Sequence, residues 1–124
     1  MEVGEFLRAA ARSAAPQHCS TDAADWCIQL GHPDFAWAWR GVMSDRECEA
    51  ATMSDPLLAL WDEGIGNMLP IATGEPRAGD IAVVSKMGLH AGAIFTGARW
   101  AIRSGRGMAY VPVGSVIVIK SWRP

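Results

Sequence analysis

The period of the sequence changes once, around Gly79, and that change limits what the chain can fold into. Before it, apolar residues recur at three-to-four spacing; from Ile81 onward they come in short β-rich runs separated by Gly or Pro. Helices first and strands afterwards predict an α+β domain, with N-terminal helices packed on a C-terminal antiparallel sheet of about five strands. With 124 residues, half of them hydrophobic, the chain can bury a sizeable core as a single domain spanning residues 1–124.

Residues 2–14 read as an amphipathic helix, with Val3, Phe6, Leu7, Ala10 and Ala14 on one side and Glu2, Glu5, Arg8 and Arg12 on the other. Pro16 ends it. A second helix is predicted from Cys19, where Ser20 and Thr21 suit a cap and Asp22 suits the positive end of the dipole, to Leu30, with Gly31 as the stop. His32-Pro33-Asp34 makes a turn into a short apolar helical piece, Phe35–Gly41. Ser44 and Glu47 have capping-box spacing and open a helix to about Met53. Asp55-Pro56 opens another, with Leu57, Leu58, Leu60 and Trp61 inward, closed by Gly64 and Gly66. After a loop from Asn67 to Gly79, strands are predicted at 81–84, 91–95, 99–102, 108–111 and 116–119.

A net charge of −2 with scattered Lys and Arg gives no footprint for nucleic acid. No apolar stretch approaches the roughly 20 residues needed to span a bilayer. The start, Met1-Glu2-Val3-Gly4-Glu5, carries acids where a signal peptide carries positive charge, so synthesis in a cytoplasm without export is expected. Three cysteines cannot all pair within the chain, and free thiols are the default.

Free thiols leave room for a nucleophile. The positive end of a helix and a nearby imidazole both favour thiolate, and Cys19 stands at a predicted helix start. His90, at a strand start, is the candidate partner, since such pairs meet in space and not in sequence. The plainer alternatives are a small buried hydrophobe for Cys19 and a loop-bonded imidazole for His90. Cys27 reads as core and Cys48 as a partly buried bystander. A zinc site from His18, Cys19, Cys27 and His32 lacks the paired spacing that such sites show, so no metal or cofactor is expected.

Three segments resemble the NlpC-type cysteine peptidases, of papain-like fold, and come in that family's order. His18-Cys19-Ser20-Thr21-Asp22-Ala23-Ala24-Asp25-Trp26 looks like the nucleophile helix. Arg77-Ala78-Gly79-Asp80-Ile81-Ala82-Val83-Val84 is similar to the first strand, and Leu89-His90-Ala91-Gly92-Ala93-Ile94-Phe95 to the histidine strand. Over nearly its full length the chain also resembles a branch of small phage and prophage proteins encoded among tail-tip genes. The features carrying this are the Cys helix, Trp39-Arg40-Gly41, the Gly79-Asp80 strand, and the ending Gly107-Met108-Ala109-Tyr110-Val111-Pro112 through Ser121-Trp122-Arg123.

The resemblance implies Cys19 as nucleophile and His90 as base. The expected substrate is a peptidoglycan stem peptide, the expected partners are other tail-tip proteins, and the expected location is the virion tail after synthesis in the host cytoplasm. There are three departures. His18 stands where the family has Asp; the only Tyr is Tyr110, not one upstream of the cysteine; and the third catalytic position falls in Ala101-Ile102-Arg103-Ser104. Arg cannot accept the imidazole N–H, so Ser104 or a backbone carbonyl orients His90, or the site is incomplete. An incomplete site gives the alternative, a structural tail-tip subunit that keeps the fold without the chemistry. Asp80 is expected to cap a turn. Of the tryptophans, Trp26 and Trp61 are expected in the core, and Trp37, Trp39 and Trp122 are available for an interface.

Overall fold

The computed structural model describes residues 1–12, 19–38, 56–104 and 107–124, with backbone alone at Cys19, Ser20 and Pro56. Helices α1 (Val3–Ala11), α2 (Cys19–Gln29) and α3 (Pro56–Ile65) precede strands β1 (Ile81–Lys86), β2 (Leu89–Phe95), β3 (Arg99–Ser104), β4 (Gly107–Pro112) and β5 (Ile117–Trp122). A 3-10 turn at Val113–Ser115 separates the last two strands. The strands form one antiparallel sheet in the order β4-β3-β2-β1-β5. The α+β class, with helices first and a five-stranded sheet after, is as the sequence predicts.

Helix α2 ends as expected. The N–H of His32 donates to Cys27 O and that of Gly31 to Ile28 O, with Gly31 at φ +93°, so the last carbonyls are satisfied by a left-handed glycine cap. The described part of the helical piece expected at 35–41 differs: Phe35–Ala38 is a run of turns, because Asp34 Oδ1 accepts the N–H of Ala36 and its carbonyl that of Trp37, and 39–41 lie outside the described residues. The helix expected at 44–53 lies outside the described residues.

Strand alternation gives the sheet two apolar faces. Ile81, Val83, Ile94, Ala101 and Trp122 lie on the helix side, in one buried cluster with Leu7, Trp26, Cys27, Phe35 and Trp61. Ala82, Val84, Ala93, Phe95 and Trp100 form a second cluster on the other side. Trp26 and Trp61 are core as expected. Trp122, expected to be available for an interface, is instead buried against Trp61, with ring centroids 5.7 Å apart. Trp37 is exposed, and Trp39 lies outside the described residues.

Candidate functional site

His90 lies near the start of β2, opposite Ser85 of β1. It shares its side of the strand with Gly92 and Ile94, and Ile94 belongs to the cluster under the helices, so the alternation puts His90 on the helix face. Ser85 shares that face with Val83 and Ile81. The imidazole is half-buried, and its Nδ1 is buried with no hydrogen-bond partner among the described residues.

Helix α2 packs against β2 and β3 on the same face, and two contacts fix its direction. At its start, Asp22 accepts two bonds from Arg103 of β3: Nε to Oδ2 at 2.9 Å and Nη2 to Oδ1 at 2.8 Å. Four residues on, Trp26 Nε1 donates to Gly79 O at 2.9 Å, and Gly79 N–H in turn donates to the carbonyl of Phe95, at the far end of β2. Because β2 and β3 are antiparallel, with Ile94 opposite Ala101, Arg103 lies toward the His90 end of the sheet. The helix therefore runs the same way as β2, from the His90 end to the Phe95 end. Its first residue, Cys19, is one turn before Asp22, so the Cys19 backbone and His90 lie at the same end of the packing between α2 and the sheet. The Cys19 side chain, and His18, lie outside the described residues.

Ser104 is placed differently. It follows Trp100 and Ile102, which belong to the opposite cluster, whereas Ala101 and Arg103 face the helices. Alternation thus sets Ser104, which is exposed, on the face away from His90. The structure brings together the helix carrying Cys19 and the strand carrying His90, and does not bring Ser104 to them. Arg103 was passed over in the sequence because it cannot accept an imidazole proton. The sequence signal is the shared parity of Ala101 and Arg103, which puts both on one face of β3; the structure makes that the helix face.

Cys27 is wholly buried, and desolvation, with a smaller contribution from Asp34, pushes its thiol from 9.0 up to about 12. It is inert core sulfur. Asp80 accepts the backbone N–H of Arg77 at 2.9 Å, which is the turn-capping contact the sequence suggested, together with a bidentate pair from Arg123 that it did not. Asp80 precedes Ile81, and His90 lies opposite Ser85, about 17 Å away along β1. A cavity of about 300 Å³ between Ile71, Gly74, Trp100 and Val118 opens near Asp80, not at His90. Among the described residues no three metal-ligating side chains converge, and no helix is long and apolar enough to cross a membrane.

Neither curated proteins nor solved structures yield a match to the chain. A family model does match, over residues 4–123, and it carries the description "Domain of unknown function (DUF6950)". With nearly every residue covered by that model, the chain belongs to the DUF6950 family.

Proposed function

We propose that the chain is a cysteine hydrolase of phage tail tips that cuts an amide bond in peptidoglycan stem peptides. The observation supporting the chemistry is the start of α2, with Cys19, at the same end and on the same face of the sheet as His90. The phage and cell-wall setting rests on the sequence resemblance. In this reading the Cys19 thiolate attacks the amide carbonyl carbon while N–H groups of the first helical turn stabilise the oxyanion. The C–N bond breaks as His90 delivers a proton to the leaving amine, and water then hydrolyses the thioester. Purified protein incubated with peptidoglycan should release new amino termini, and Cys19→Ala should abolish that release; no cleavage, or cleavage surviving the substitution, would sink the proposal.

A second reading is favoured by one observation: among the described residues His90 Nδ1 has no hydrogen-bond partner, as in a site that has lost its orienting group. The chain would then be a structural tail-tip subunit, and His90→Ala would leave tail assembly unchanged.

A further inference from the structure

We propose that Asp22 and Arg103 are positioning residues that set the charge at the helix start, Arg103 cancelling the Asp22 carboxylate so that Cys19 can ionise. This rests on the reading of Cys19 as nucleophile. Asp22 is in the first turn of α2, three residues after Cys19, which places the two about 4.5 Å apart along the axis and on neighbouring positions of the helix surface. Its carboxylate is almost wholly buried, with 4 % side-chain exposure, and an uncompensated buried anion so close disfavours a second negative charge. Arg103, 10 % exposed, meets it with both ends of the guanidinium fork, and Nη2 also donates to Ala10 O of α1 at 3.1 Å. One side chain thus joins β3, α1 and α2 at the end of the sheet where His90 lies.

Stability alone is a poor account of such a pair, because desolvating two charges largely offsets their attraction. The other described charges on the packed elements are Asp25 on α2, which has partners of its own, His90 on β2 and the exposed Arg99 on β3. On α1, Glu5, Arg8 and Arg12 are exposed, and β4 carries no charge. Among the described residues the pair is therefore the buried charge pair at the first turn of α2, neutral as it stands and negative if the arginine is removed.

The test is the alkylation rate of Cys19 by iodoacetamide from pH 5 to 9, followed by peptide mass spectrometry on the whole protein. Cys27 will not interfere, being buried with its thiol pushed up to about 12. Arg103→Gln should slow alkylation at pH 6 about tenfold, the effect of a one-unit rise in thiol pKa. Asp22→Asn should speed it, Arg103→Lys should leave it near wild type, and Asp22→Asn with Arg103→Gln should restore it. A purely structural anchor predicts something else, namely that both single substitutions slow the reaction and the double substitution does not recover. That result, or no change in any variant, overturns the proposal. If Arg103→Gln does not fold, the faster reaction expected of Asp22→Asn and the near-wild-type rate expected of Arg103→Lys still decide, since a purely structural anchor predicts that Asp22→Asn slows it. A wild-type Cys19 that titrates like an ordinary thiol counts against the hydrolase reading instead, while the order of the variants continues to test the pair.

Discussion

Asp80 is 1 % exposed and receives three hydrogen bonds, one from the backbone of Arg77 and two from the guanidinium of Arg123. The bond to Asp80 holds the Arg123 guanidinium above its ordinary range. Asp80→Ala strands a backbone donor and the charge of Arg123. Since Arg123 is partly open to water, the loss should be about 2 kcal/mol, read as a lower melting temperature. Any hydrolase activity per folded molecule should persist, given the separation from His90; activity lost with the melting temperature unchanged would make Asp80 part of the site. Cys27 gives a residue-scale prediction with a pH signature. Its thiol ionises near 9.0 when unfolded but near 12 when folded, so between those values only the unfolded chain releases the proton. Stability from this group is fully present below pH 9 and falls by up to about 1.4 kcal/mol per pH unit above it. Cys27→Ala is expected to be less stable at pH 7, and its deficit should shrink in urea titrations from pH 8 to 10.5. A deficit constant over that range would show that ionisation of Cys27 does not contribute.

At the scale of the element, α3 carries a glycine that looks replaceable and is not. An exposed helical Gly→Ala change ordinarily stabilises by up to about 1 kcal/mol. A β-carbon on Gly64, however, would collide with the backbone carbonyl oxygen of Phe35, which cannot rotate out of the way as a side chain can. Gly64→Ala should therefore destabilise, by about 2 kcal/mol in chemical denaturation, and a stabilised variant would show that the 35–38 turns yield easily. The sequence placed Gly64 outside the helix as a stop, and here the limit of local reading is visible. Gly31 could be recognised as a cap because its signal is local: an apolar helical run, then a glycine free to adopt positive φ. Gly64 answers to a chain segment nearly 30 residues away, which no local signal announces. The same division holds at the candidate site. The helix start at Cys19 and the strand bearing His90 were legible from capping residues and from period-two runs. Whether Ser104 or Arg103 shares the face of His90 depends on the register of β3 against β2, which alternation within one strand leaves open. For the same reason Asp22 read as a dipole partner alone, with its buried arginine invisible until β3 was laid beside β2.

Taken as a whole molecule, the domain closes around Trp122. The chain completes β4-β3-β2-β1 as successive neighbours, then carries β5 across to pair with β1 at the opposite edge, with Ile81 opposite Trp122. The indole of Trp122 lies 5.7 Å from that of Trp61 on α3, and Trp61 in turn lies 5.2 Å from the ring of Phe35. A column of aromatic side chains therefore links the last strand to the helix layer. The flanking backbone locks it in place: Ala72 N–H donates to Ser121 O, Arg123 N–H to Pro70 O, and the Lys120 ammonium reaches Asp62 of α3 at 2.6 Å. Six tryptophans in so short a chain suggest that some, Trp122 among them, are available for an interface; its burial against Trp61 assigns it to joining the last strand to α3. Replacing a buried tryptophan by alanine typically costs 3–5 kcal/mol, and about 5–15 kcal/mol is all that a domain of this size has. Trp122→Ala should therefore leave a marginal protein in which β5 and the 70–72 segment exchange amide hydrogens together, well before β3 and β4. Trp37→Ala, at 78 % exposure, should change stability by less than about 0.5 kcal/mol. Hydrogen exchange on both variants reads this directly, and uniform loss of protection across the whole sheet in Trp122→Ala would mean that β5 is not a separable closing element but part of the cooperative core.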